Sequence, residues 1–222
     1  MFQNTTILYF ARSAAEELEH KRLHSNAGKS LGIIKRLQKN AFSIIKKSGV
    51  PFHIFSEKNQ VGKNFTEKLI NSIKVCFEQS EKVIIVGYDC PLLNVKDLHN
   101  AASLLNTGKN VLGKDRNGGA YLIGLNRQSW NEDSFAKLNW QTNQLAFQLE
   151  NEYFKNDELA CLRSKSDLNS ECDILSLSFM TYLSSLITLI LHFFEGVIHD
   201  TVSTNFDKKL ALSSVQFRGP PQ

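Results

Sequence analysis

Lys82-Val83-Ile84-Ile85-Val86-Gly87-Tyr88-Asp89-Cys90-Pro91 opens the stretch that decides the fold, and the stretch runs on to Leu125. A helix-like segment follows Pro91. A second apolar run, Val111-Leu112-Gly113, comes next. Asp115-Arg116-Asn117-Gly118-Gly119 then leads into a third, Ala120-Tyr121-Leu122-Ile123-Gly124-Leu125. Runs that are apolar throughout belong to strands covered on both faces, the usual state of parallel sheets. The stretch reads as half of a parallel-sheet core with Asp89 at its mouth.

Working outward towards the N-terminus, Thr6-Ile7-Leu8-Tyr9-Phe10 reads as a buried first strand. Leu31 to Lys47 sets Ile33, Ile34, Leu37, Phe42, Ile44 and Ile45 among lysines, an amphipathic helix that Gly49 stops. Pro51 opens a short second strand through Phe55. Asn64 caps the next helix, with Glu67 three residues on as in a capping box, and Phe65, Leu69, Ile73 and Phe77 keep a spacing of four. Asn94 caps another, with Val95, Leu98, Ala102 and Leu105 inward and Gly108 at its end. Strands and helices alternate, so the expected fold class is α/β: a three-layer α-β-α sandwich around a mostly parallel central sheet.

Towards the C-terminus, Trp130 to Asn143 reads as a loop, Leu145 to Phe154 as a helix and Leu159 to Leu162 as a short strand. Ser166-Asp167-Leu168-Asn169-Ser170 leads into the last helix. Ile174 to Phe194 has no acidic or basic side chain except His192, and its length and hydropathy meet the criterion for a membrane span. Yet Thr181, Ser185, Thr188, His192 and Glu195 form a polar stripe. The expectation is a long apolar helix packed on the domain or pairing in a homodimer, with membrane attachment the alternative. Two regions follow: 1–173 as the main domain, and 174–222 as helix and tail.

A chain of 222 residues suits one α/β domain with an appendage. The formal charge of +4 comes without a dense basic block, so no nucleic-acid partner is expected. Lys35, Arg36, Lys39, Lys46 and Lys47 read as the solvated face of one helix. The cysteines Cys76, Cys90, Cys161 and Cys172 form no CxxC or zinc-like spacing. With no secretory pattern at the N-terminus, free thiols in a reducing cytoplasm are expected. Cys90 reads as a small residue packed behind the turn rather than a nucleophile.

Ligands of open parallel sheets bind beyond the carboxyl ends of the strands. Asp89 falls there, and an acidic residue at that place commonly holds a hard divalent cation that in turn holds a diphosphate. A turn-forming aspartate is the other reading. Arg12, and then Lys21 and Arg22, follow the first strand, where anions bind in such folds; a charged surface turn is equally consistent. Gly118 and Gly119 allow close backbone approach and offer amide donors, or make a tight turn.

Taken together, Val-Gly-Tyr-Asp-Cys-Pro-Leu-Leu (86–93), Leu-Gly-Lys-Asp-Arg-Asn-Gly-Gly-Ala-Tyr-Leu-Ile-Gly-Leu (112–125) and Asn139-Trp140-Gln141-Thr142 resemble the bacterial transferase family named for its association with radical-SAM and selenodomain proteins. The similarity covers about residues 5 to 175. It implies a GT-A, nucleotide-diphospho-sugar transferase-like fold, related to molybdenum-cofactor and phospholactate guanylyltransferases. Under it Asp89 would be the metal-associated carboxylate and Lys21 and Arg22 the phosphate-side basic pair, with Arg12 adding to them. Gly62 would open a second ligand-side loop running to Lys68. Gly118, Gly119 and Tyr121 would line the acceptor or sugar pocket, with Asn117 and Trp140 beside them. Ser166 to Asn169 resembles the family's Asp-Val-Asp-Thr-Pro segment, so Asn169 would stand as the second metal ligand.

Three departures are visible. Ser13 to His20 lacks the family's Pro and Gly; Arg116-Asn117 replaces Glu-Asp, with Asp115 one residue upstream as the substitute acid; Glu171 replaces the Pro. The implied activity is transfer from a nucleotide-diphosphate donor to a small-molecule acceptor with a divalent metal, Mg or Mn, and with Asp89 and Asp115 as catalytic acids. The alternatives are a guanylyltransferase-like nucleotidyl transfer and a non-catalytic binding or assembly module.

Overall fold

The structure, a computed structural model, describes residues 4–154, 158–178, 186 and 190–194. The chain runs β1 (Thr5–Phe10), α1 (Ala14–His20), α2 (Ala27–Ser48), β2 (Phe52–Phe55), α3 (Phe65–Gln79), β3 (Lys82–Val86), α4 (Val95–Asn106), β4 (Asn110–Lys114) and β5 (Ala120–Asn126). It continues through α5 (Glu132–Ala136), α6 (Leu145–Gln148), β6 (Leu159–Cys161) and α7 (Glu171–Ser178). The expected loop at 130–143 contains α5. The expected helix from Leu145 is α-helical only to Gln148 and then widens into a π-turn, Leu149–Tyr153.

The caps show why helices start and stop where they do. Asn64 Oδ1 accepts from the Glu67 amide at 2.9 Å, while the Glu67 carboxylate reaches past the cap residue to the Lys63 amide, 2.8 Å. Asn94 and Asp97 exchange bonds in a full capping box. Gly49 takes φ +68° and ends α2 with a left-handed turn, a conformation that favours glycine.

The sheet order is β2-β1-β3-β5-β4-β6. β1 pairs in parallel with β2 and β3, and β4 with β6, whereas β5 pairs antiparallel with both β3 and β4. Among the described strands, β5 alone therefore runs against the rest. The expectation of a parallel run through 110–125 is corrected at this point. Only residues 115–119 separate β4 from β5, and a parallel return needs a crossover of a dozen or more residues.

Period-two alternation divides each strand between two cores. Ile7, Tyr9, Ile84, Val86, Val111 and Leu122 face α2 and α4. Leu8, Val83, Ile85, Leu112, Ile123 and Leu125 face α3, α5 and α6. From β1 the chain winds outward to β2 over the α2 face, then returns to β3 over the α3 face. The reversal places the topological switch point between β1 and β3, where the loops diverge and leave a crevice at the strands' carboxyl ends.

Much of the long apolar segment 174–194 and all of the tail 195–222 lie outside the described residues. Where described, the segment packs on the first core: Ile174, Ile190, Leu191 and Phe194 are buried in it. Lys29 Nζ donates to the Phe193 carbonyl at 2.8 Å, and the Arg36 guanidinium lies 5.1 Å from the Phe193 ring centroid. Gly32 leaves room for that ring, because a Cβ there would meet it at 2.9 Å. Among the described residues no helix is long and apolar enough to cross a membrane.

Candidate active site

At the carboxyl ends of β1, β3 and β4 opens a cleft of about 530 Å³, continuous with a second of about 290 Å³ through Phe10, Arg12, Glu17, Phe65, Gly87, Asp89 and Gln141. Besides the turn after β4, which brings Asp115, three chain segments bring charged side chains to its wall. The loop after β1 brings Arg12, and α1 brings Lys21. The turn after β3 brings Asp89. The segment after β6 brings Asp167 and Asn169.

Ser13 caps α1 by accepting from the Glu16 amide, and Lys21 closes the helix by donating its backbone N–H to Glu17, 2.9 Å. The short helix thus carries Lys21 across to β3. Its ammonium stands 3.7 Å from Asp89 Oδ2 and donates to Asn169 Oδ1 at 3.0 Å. The Tyr88 ring backs it at 5.5 Å. The Lys21 side chain is 13% exposed and that of Asp89 33%, so the pair is half sheltered and still faces the cleft. Arg12 lines both parts of the cleft and pairs with Glu17 at 3.4 Å.

Asn169 is placed by its own helix start. The Asp173 carboxylate accepts from the amides of Asn169 and Ser170, both at 2.8 Å. The Leu168 amide donates to the Asp89 carbonyl at 2.8 Å, which ties this segment to the turn after β3.

Asp115 behaves differently. It is buried, and both carboxylate oxygens are taken by main-chain amides, Oδ1 by Asp167 and Oδ2 by Asn117, each at 2.9 Å. It lines the cleft as the residue that shapes the turn between β4 and β5. Gly118 sits behind that turn with φ +90°. A Cβ there would lie 1.9 Å from the Asn143 carbonyl oxygen, and its own carbonyl accepts from Ala146 at 2.9 Å. Gly119, Asn117, Tyr121 and Trp140 do line the cleft. Tyr121 is anchored by its hydroxyl on the Arg163 carbonyl, 3.0 Å, and Trp140 by its indole N–H on the Phe135 carbonyl, also 3.0 Å.

Sequence reasoning therefore brings together Arg12, Lys21, Asp89, Asp115, Asn117, Gly119, Tyr121, Trp140 and Asn169. It does not bring Arg22 or Gly62, neither of which lines the cleft; Arg22 is exposed, and Gly62, at φ +146°, backs onto the first turn of α3. Gly118 supports the turn from outside the cleft. Asp167 was missed. It is buried, lines the cleft, and its Oδ1 has no hydrogen-bond partner. Burial, with Asp89 and Asp115 nearby, pushes its carboxyl up to about 8, against a smaller downward pull from Lys21. The available signal was its match to the first acid of the Asp-Val-Asp segment. Cys90 is buried, and burial raises its thiol well above the ordinary range, which suits the packing reading.

The residues at Asp89 and Asn169 do not fit a resident divalent cation. An ammonium already bridges the two, and the second ligand is a neutral amide. Each oxygen of Asp115 already accepts from a main-chain amide. Among the described residues no group of three His, Cys, Asp or Glu side chains stands close enough to hold a metal ion.

A sequence profile of a family described as an uncharacterized protein conserved in bacteria (DUF2064) matches residues 38–142, a span that includes Asp89 and Asp115 but not Lys21 or Asn169. No curated protein matches the chain. A crystal structure from Desulfovibrio desulfuricans G20, of a protein whose assignment as a nucleotide-diphospho-sugar transferase is itself provisional, aligns with TM-score 0.71 at 17% identity, over 89% of this chain and 98% of that one. The 4-diphosphocytidyl-2C-methyl-D-erythritol synthase of Anaerococcus prevotii DSM 20548 aligns with TM-score 0.47 at 9% identity, over 82% and 97%. The first likeness establishes the fold: mixed α/β with a six-stranded sheet, resembling that of nucleotide-diphospho-sugar transferases.

Proposed function

We propose that the chain is a transferase that binds a nucleotide-diphosphate donor in the cleft between β1 and β3 and passes the activated group to a small-molecule acceptor. The observation that carries this reading is the Arg12–Lys21–Asp89 cluster at the switch point of the sheet. In α/β sheets of this winding that crevice is where ligands bind. The two cations face the donor's phosphates from the β1 side. The half-open Asp89 faces the reacting centre, and Asn117, Gly119, Tyr121 and Trp140 form the far wall for the transferred group and acceptor.

In glycosyl transfer, the acceptor hydroxyl oxygen bonds to the sugar carbon. The bond from that carbon to the diphosphate oxygen breaks, and its electron pair leaves with the nucleoside diphosphate. The acceptor's proton passes to Asp89, the most open of the cleft's carboxylates. Charge growing on the leaving diphosphate is met by Lys21 and Arg12, preorganised donors of the kind that contribute most to such reactions. Mg or Mn has no resident site in this reading. Glycosyl transfer is preferred over nucleotidyl transfer because the aligned Desulfovibrio protein is described as a nucleotide-diphospho-sugar transferase.

A second reading, a non-catalytic binding module, draws support from Asp115, whose two oxygens each accept from a main-chain amide and hold the turn. Turnover separates the two. Incubation with a panel of nucleotide-sugars should release nucleoside diphosphate, followed by coupled phosphatase assay, and Asp89→Asn should reduce that release by roughly 100-fold or more, the scale of a lost general base. Saturable binding of every tested donor with no release would favour the binding module.

A further inference from the structure

Resting on that reading, we infer that the Lys21 ammonium takes the place of a divalent cation, so that this chain binds its donor's diphosphate without a metal. A carboxylate at the mouth of the cleft repels a diphosphate unless a positive charge lies between them. Here that charge belongs to the protein. Lys21 Nζ stands between Asp89 Oδ2 and Asn169 Oδ1, the two positions at which the implied metal ligands fall.

Three further features agree with the exchange. Asn169 is neutral, so one ammonium rather than a divalent ion suffices to balance Asp89. An ammonium has three N–H donors. One goes to Asn169 and one faces Asp89 at the looser distance of 3.7 Å, which leaves capacity for a phosphate oxygen. Finally, the segment Ser13–His20, without Pro or Gly, folds as α1, and that helix ends on Lys21 and holds it over β3. The Tyr88 ring behind the ammonium restricts it to the cleft side. Lys21 is the positioning and charge-neutralising group, with Arg12 as the second cation on the same wall.

The test is calorimetric titration of the full chain with UDP, GDP, CDP and ADP, in EDTA and again with excess Mg. The nucleotide that binds should do so with the same affinity, within about twofold, in both buffers. In EDTA, Lys21→Ala should weaken it roughly 10- to 100-fold, the worth of one charge-assisted hydrogen bond, and Lys21→Arg should keep most of it. Circular dichroism would establish that both variants are folded. Binding by the native chain that requires Mg would overturn the proposal while leaving the transferase reading in place, as would undiminished binding by folded Lys21→Ala. Failure of all four nucleotides in both buffers would overturn the transferase reading itself.

Discussion

Of the aspartates that border the cleft, Asp89 and Asp115 are given opposite uses by their surroundings. Asp89 follows β3, is a third exposed, and has an ammonium at 3.7 Å as its partner. Asp115 follows β4, is buried, and has two fixed amides. The β1–β3 side of the cleft is thus charged and open, while the β4–β5 side is a rigid frame. Position at a strand's carboxyl end does not by itself make an acid chemical; what matters is whether its oxygens are already spoken for.

If the frame is as rigid as described, its weakest point should be Gly118. Gly118→Val puts a branched side chain into the Asn143 backbone at positive φ. It should cost about 3 kcal/mol or more in urea denaturation, because both strain and displacement of the 143–146 backbone are involved. A loss below about 1 kcal/mol would mean the turn yields.

The next effect concerns Asp167, which lies between the two sides. Its carboxyl is raised in the folded state from the ordinary 3.8 to about 8, so the folded chain holds a proton that the unfolded chain has released. The native state binds more protons, and stability must fall as pH rises from about 4 through about 8. Asp167→Asn, neutral at every pH, should flatten that dependence and exceed the native chain in stability at pH 8 by at least about 1 kcal/mol. Equal pH slopes for the two proteins would show that Asp167 is charged in the fold.

A smaller effect is expected at a helix start. Asn94→Ala removes the capping box of α4, where the Asp97 carboxylate also takes a bond from the buried Lys165. The loss should be about 1–2 kcal/mol by thermal or urea unfolding. Smallest of all, Lys74→Ala breaks an ion pair with Glu132 whose side chains are both more than two-fifths exposed. It should change stability by less than about 0.5 kcal/mol. A larger loss there would mean that exposed charge matters to this fold as much as the frame does.

Most of the architecture was legible because burial on both faces writes itself into composition. The runs at 6–10, 83–87 and 111–113 became strands, and Asn64 and Asn94 started helices and Gly49 ended one where their chemistry required. The direction of β5 was misread: the shortness of 115–119 carried it, but the apolar run alone says nothing about direction. In the site, Asp89, Lys21 and Asn169 could be placed by resemblance, whereas their mutual contact joins residues as far as 148 positions apart and has no local signature. Gly118 and Gly62 illustrate the limit. A glycine demanded by close backbone approach looks the same in sequence whether a ligand approaches or the chain itself does. The buried Lys165, bonded to the Leu92 carbonyl at 2.6 Å, carries no sequence mark at all.

The most direct measurement is a crystal of the full chain grown with the nucleoside diphosphate that binds most tightly, in EDTA. Diphosphate oxygens within hydrogen-bonding distance of Lys21 Nζ, with Arg12 on the same side and Asp89 facing the terminal phosphate, are the predicted result. A nucleotide bound elsewhere on the molecule, or seated in the cleft with its phosphates turned away from Lys21, would contradict the account.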